Sequence, residues 1–190
     1  MKILPRSFYA RGTAAVAREL LGKYLIRRYR GKKLIGRIVE TEAYLENDPA
    51  SHAFRRTPRS EPMFGDPGHA YVYFIYGNHY RLNFVTERSG KAGAVLIRAL
   101  EPINPDTKVS VKKNGNRDLS RGMSMTGPGR LTKALKIDKR FNRADLTKGD
   151  LVVAKGKDVK FAVVRSKRIG ISKASSRLLR FNIKGNPFVS

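Results

Sequence analysis

The chain has 190 residues, with 40 Lys plus Arg against 15 Asp plus Glu, a formal net charge of +25. That length suits one domain, residues 1 to 190, and the 41% hydrophobic fraction argues for a folded core despite the charge. There is no Cys, which excludes disulfides, zinc fingers, thiol nucleophiles and iron–sulfur clusters, and no apolar run approaches a bilayer span.

The opening Met1-Lys2-Ile3-Leu4-Pro5-Arg6 carries charge but no apolar core, so it does not read as a secretory signal. Residues 13 to 21 read as a short helix: Thr13 can cap it, Val16, Leu20 and Leu21 share a face, and Gly22 suits the exit. Tyr24 to Tyr29 and Leu34 to Tyr44 are β-rich runs separated by Arg30-Gly31-Lys32-Lys33, a hairpin signal. Residues 45 to 69 are polar and punctuated by Pro58, Pro62, Gly65, Pro67 and Gly68, which predicts a loop. Tyr71 to Tyr76 and Tyr80 to Val85 are strand-like, joined tightly by Gly77-Asn78-His79. Ala94 to Leu100 is an apolar run that predicts a buried strand, and residues 102 to 125 predict a mobile loop. Thr126-Gly127-Pro128-Gly129 opens a helix over Arg130 to Lys136, with Leu131 and Leu135 facing inward. Short strands follow at Leu151 to Ala154, Val159 to Val164, Ile169 to Ile171 and Leu179 to Ile183. The fold class is α+β, dominated by antiparallel strands.

A charge this large points to a polyanionic partner, nucleic acid before an anionic membrane, because neutralising phosphates releases counterions. A membrane surface would want a basic amphipathic helix, and none is evident. A basic solvated surface without a partner is the plain alternative.

Acids are scarce, so the cluster Glu40, Glu42, Glu46 and Asp48 is informative. Strand alternation puts Glu40, Glu42 and Tyr44 on one face and Val39, Thr41 and Ala43 on the other. A carboxylate held in a positive field and aimed at a pocket can act as a base on water. Glu42, with Tyr44 and His52 near it, is the candidate. A metal held by Glu40, Glu42, Asp48 and His52 is a second reading. A surface acid balancing Arg37 or Lys33 is the plain one.

Tyr71, Tyr73, Phe74, Tyr76, Tyr80 and Phe84 crowd one hairpin. Phe74 and Phe84 read as core. Tyr71 and Tyr73 share a face, and Tyr76 can project from the hairpin tip. Such a ring can wedge between bases, and rings lining a pocket can sandwich an extruded one. Gly127-Pro128-Gly129-Arg130 would present backbone N–H groups to phosphate, with Lys133 and Lys136 adding charge.

These residues resemble the alkyladenine (3-methylpurine) DNA glycosylase family. The matching stretches are Ala17 to Lys23, Gly36 to Tyr44 (GRIVETEAY), His52, Tyr71 to Asn83 (YVYFIYGNHYRLN), Val95 to Pro102 (VLIRALEP), Gly127 to Asp138 (GPGRLTKALKID), Arg168 to Ser172, and Leu179 to Ser190. The resemblance implies a single mixed domain with a curled, mostly antiparallel sheet flanked by helices and a protruding hairpin. It implies that Glu42 activates water against the sugar C1′ and that Arg98 helps hold that water and the backbone. Tyr44, His52 and Tyr73 would line the base pocket, Asn83 would guard against normal guanine, and Tyr76 would fill the gap left by a flipped nucleotide. Asn83 and Arg98 rest on the resemblance alone. Gly127, Gly129, Arg130 and Lys133 are the further DNA-contact candidates.

The expected function is therefore a monofunctional repair glycosylase acting on double-stranded DNA containing damaged purines, as a monomer. No cofactor, metal or membrane is expected. The expected location is the cytoplasm, with the nucleoid, in a prokaryote, or the nucleus in a eukaryote. A lysine nucleophile is a rival chemistry. A non-enzymatic basic nucleic-acid-binding protein is the rival function.

Overall fold

The computed structural model describes residues 1–103 and 124–190. Among these residues eight strands form one sheet: β1 (Tyr24–Tyr29), β2 (Lys32–Leu45), β3 (Ala70–Ile75), β4 (His79–Val85), β5 (Gly93–Pro102), β6 (Leu151–Ala154), β7 (Val163–Ser166) and β8 (Arg180–Ile183). Every pairing is antiparallel, in the order β3-β4-β5-β2-β1-β6, with β8 joining β2 to β7. Three helices accompany it among the described residues: α1 (Arg6–Tyr9), α2 (Thr13–Glu19) and α3 (Pro128–Ala134). The α+β class and the curled antiparallel sheet with a protruding β3–β4 hairpin are as expected. Among the described residues, no helix is long and apolar enough to cross a membrane.

The spine is β2. Its first half pairs with β1 through a two-residue turn, Arg30-Gly31, in which both residues have positive φ (49° and 71°). That turn geometry matches the natural twist of a hairpin, and Gly31 adopts it without a steric penalty. Its second half pairs with β5 along one edge and β8 along the other. The β2–β5 register shifts between Ile38 and Thr41. Ile38 and Val39 consequently both reach the main core. Beyond the irregularity, alternation resumes: Thr41 and Ala43 face the core and Glu42 and Tyr44 face away.

The sheet therefore has two unlike faces. On one, α2 and α3 cover a core built from side chains such as Leu20, Ile38, Leu82, Phe84, Ile97 and Leu131. On the other, the 46–69 segment packs a smaller cluster of Ala53, Met63 and Phe64 against Tyr71, Val85 and Ala94. That segment is a loop as expected, with short 3₁₀ turns at His52–Phe54 and Glu61–Phe64.

Several expectations need correction. Thr13 does not cap α2; Gly12 is the N-cap, and Glu87 Oε1 accepts from the Thr13 N–H (2.8 Å) and hydroxyl (2.9 Å). The terminal donor is satisfied by a carboxylate from a remote segment instead of a local hydroxyl. The strand expected at 159–164 is displaced to Val163–Ser166, and Ile169 to Ile171 is not a strand. α3 starts at Pro128, and the Lys136 end of the expected helix lies beyond it with φ of 54°. Phe74 is not core but 49% exposed, packing at a tilt against Tyr80 with ring centroids 4.9 Å apart. The loop expected over 102–125 lies, for residues 104–123, outside the described residues.

Close packing between β2 and β5 leaves no room at Gly36, where an added Cβ would sit 2.8 Å from the Leu100 Cβ. Gly36→Val should lower stability by about 1–3 kcal/mol, the cost of overpacking. Thermal denaturation followed by circular dichroism checks this, and an unchanged melting temperature would contradict it.

Candidate active site

A cavity of about 320 Å³ opens on the face of the sheet away from the main core. Its walls include Tyr44, His52, Tyr71, Tyr73, Asn83 and Arg98. The hairpin register explains why these come together. Tyr71 lies opposite Asn83 and Tyr73 opposite Arg81, so all four side chains project to one side of β3–β4. The 3₁₀ turn at His52–Phe54 brings His52 over them. Its ring lies 4.6 Å from that of Tyr73, and its Nδ1 is hydrogen-bonded to the Tyr71 hydroxyl at 2.8 Å. Asn83 is buried and donates from Nδ2 to the Tyr71 carbonyl (3.0 Å).

Glu42 sits one layer behind this wall and is 0% exposed. Two hydrogen-bond donors and one guanidinium address it, and all three residues line the cavity. The Tyr44 hydroxyl donates to Oε2 at 2.9 Å, and the Ile169 N–H donates to Oε1 at 2.8 Å. Arg98 Nη1 lies 3.3 Å from Oε1. A carboxylate offers about four acceptor sites, so two hydrogen bonds leave room for a further donor, such as a water.

Glu40 is engaged differently. Its Oε1 accepts from Arg98 Nε (3.0 Å) and Arg180 Nε (2.6 Å), and its Oε2 from the Ser190 N–H (2.7 Å). Asp48 pairs with Arg168, both side chains being fully buried. These guanidiniums occupy the acids that a metal set of Glu40, Glu42, Asp48 and His52 would need. Among the described residues, no group of three or more His, Asp or Glu is placed to hold a metal ion.

Burial sets the protonation of the walls. It pushes the Tyr44 hydroxyl well above the ordinary tyrosine range, with the Glu42 charge adding to the rise. It pushes Tyr71 up to about 12, and it raises Tyr73 against the pull of Arg81 and Arg59. These hydroxyls stay protonated donors at neutral pH. Burial also lowers His52, and Arg59 lowers it further.

Tyr76 lies within the hairpin turn, not beside it, with φ of 54° and 75% of its surface exposed. At the start of α3, Gly127 has φ of 111° and its N–H donates to the Arg98 carbonyl (3.0 Å). Gly129 is buried, and a Cβ there would come within 2.8 Å of His79. The two glycines thus shape the turn and its packing, and the Gly127 N–H is not free for a phosphate. Arg130 and Lys133 are exposed.

Sequence reasoning missed Ile169, Arg168 and Arg180 as partners of the acids. The 168–172 block carried a signal only through the resemblance, and a strand there would have hidden its contact with Glu42. It missed Arg81 as a cavity residue, although alternation from Asn83 would have found it.

The depressed His52 has a stability consequence. Above the unfolded value of 6.5, both states hold it neutral, and its contribution is fully present. As pH falls below 6.5, the unfolded state takes up the proton first and that contribution is lost. An NMR titration of the His52 ring should give a midpoint below 6.5; a midpoint at or above that value would contradict the burial argument.

The methylpurine-DNA glycosylase (MPG) family model matches residues 7–187. A protein of Carboxydothermus hydrogenoformans is 49% identical over 191 residues, covering 99% of this chain and 98% of that protein. A protein of Legionella pneumophila (strain Corby) is 45% identical over 196 residues, covering 100% of this chain and 99% of that one. Both bear the name "Putative 3-methyladenine DNA glycosylase". Similarity on this scale leaves almost no part of the sequence outside the match, and the chain belongs to the methylpurine-DNA glycosylase family.

Proposed function

We propose that the protein is a monofunctional DNA repair glycosylase that hydrolyses the N-glycosidic bond of alkylated purines, of the 3-methyladenine type, in duplex DNA. The observation that carries this reading is the buried Glu42 carboxylate, held by Tyr44, Arg98 and Ile169 at the wall of a ring-lined cavity of about 320 Å³. Family membership and the names of the relatives support the substrate class.

The damaged nucleotide swings out of the stack into the cavity, at a cost of a few kcal/mol that is smallest at a weakened pair. Tyr76, exposed at the hairpin tip, occupies the vacated space. The everted base lies among Tyr44, His52 and Tyr73. A purine alkylated at N3 or N7 is cationic, and each good contact with an electron-rich ring favours it by about 0.5–2 kcal/mol. Asn83, anchored on the Tyr71 carbonyl, limits which purine edges fit. Arg130 and Lys133 contact the DNA backbone.

A water enters between Tyr44, Arg98 and Ile169 and takes an open acceptor site on Glu42. Its oxygen attacks C1′ as the bond to the base breaks, and the bonding electrons leave with the base. Glu42 accepts the water's proton, and its charge stabilises the oxocarbenium-like sugar. A cationic alkylpurine departs neutral without needing an acid. Among the described residues no lysine lines the cavity, which favours water over a lysine nucleophile.

Glu42→Gln should abolish release of free base from methylated duplex DNA, a loss of at least about 100-fold, while DNA affinity is retained. Base release by this variant at the wild-type rate would remove Glu42 from the mechanism. Wild-type protein that binds duplex steeply with salt yet releases no base would be a nucleic-acid binder only. Tyr76→Ala should weaken binding to a duplex carrying an abasic-site analogue more than to undamaged duplex; equal weakening on both would count against the gap-filling role.

A further inference from the structure

The Asp48–Arg168 pair is the most deeply buried ion pair among the described residues, with 0% exposure on both side chains. Stability accounts for it poorly. Desolvating two charges can cost more than their attraction returns, and a well-packed apolar pair of similar volume is often as stable or more so. Arg168 also leaves Nε and Nη2 without hydrogen-bond partners among the described residues. Something other than packing energy is gained by placing a guanidinium here.

Its neighbours supply the answer. The Arg168 guanidinium carbon lies 4.7 Å from the centroid of the Tyr44 ring, and Nη1 donates to the Ala43 carbonyl at 3.0 Å. The Tyr44 ring is thereby held in place, and its hydroxyl is the donor to Glu42 Oε2. The next residue after Arg168 is Ile169, whose N–H is the donor to Glu42 Oε1. One side chain therefore governs both donors that grip the two carboxylate oxygens, and Asp48, three residues beyond the end of β2, anchors that side chain.

We propose that Arg168, seated on Asp48, is a positioning residue for the proposed reaction: it fixes the Tyr44 hydroxyl and the Ile169 amide, and through them the aim of Glu42. This rests on the glycosylase reading of Glu42. Arg168 does not line the cavity, so it touches neither base nor water and acts only through those two residues. Lysine cannot replace it. A lysine would keep a charge on Asp48 but lose the flat group stacked on Tyr44 and the second link to Ala43.

Two variants test the proposal: Arg168→Lys, and the apolar pair Asp48→Leu with Arg168→Met, which should fold even where the lysine variant does not. Three readouts are needed: melting temperature, affinity for a duplex carrying an abasic-site analogue, and single-turnover release of methylpurine from methylated duplex at saturating protein. A positioning role predicts that folded variants bind the analogue within a few-fold of wild type but release base about 100-fold more slowly, the scale set by small misplacements of reacting groups. Release at the wild-type rate by either folded variant overturns the proposal. Rate, affinity and melting temperature falling together in both variants also overturn it, because the pair is then only structural. If the wild type itself releases no base, the glycosylase reading fails first and this proposal with it.

Discussion

A sheet can carry an acid on an interior strand only if its charge is answered where it sits. Glu40, Glu42 and Asp48 are each 0% exposed, and each meets a guanidinium: Arg98 and Arg180 at Glu40, Arg98 at Glu42, Arg168 at Asp48. An unpaired charge at such depth would neutralise itself or unfold the region. Arg98 is shared between Glu40 and Glu42, so the two acids are coupled through one planar group. The irregular β2–β5 register makes that sharing possible, because it brings Arg98 of β5 beside both acids of β2.

The two faces of the sheet divide the work. The face under α2 and α3 is almost wholly apolar and supplies the hydrophobic stabilisation. The opposite face is lined by hydroxyls, an amide and rings, and is roofed by a loop with only a small apolar cluster of its own. A cavity can persist there because rigid strands, and not the loop, place most of its walls. Alternation along each strand lets a single backbone serve both purposes.

Guanidiniums also back the aromatic walls. Arg168 lies over Tyr44, and Arg59 lies over Tyr73 at 5.1 Å from the ring centroid. Neither arginine lines the cavity, so each stacks without filling the space a base would need. The abundance of arginine thus has an internal role besides the attraction of a polyanion. Scarce acids are all the more telling in such a chain, since among the described residues the buried ones, Glu40, Glu42 and Asp48, lie at or just behind the cavity wall.

Composition and local pattern by themselves pointed to a polyanionic partner, and they determined the β3–β4 hairpin with its aromatic face and the placement of Glu42 with Tyr44. These follow from counts and from the two-residue period of a strand, which need no knowledge of distant chain. The resemblance carried Asn83 and Arg98, which no local pattern distinguishes from core residues. Only the tertiary structure decided what Glu42 touches. Ile169 lies 127 residues from it, Arg168 lies 120 residues from Asp48, and Arg180 lies 140 from Glu40. Such contacts exist because β8 pairs with the middle of β2 and carries the preceding loop against the acids. Strand partnership across that distance is set by how the whole sheet closes over its core, and no short-range preference encodes it.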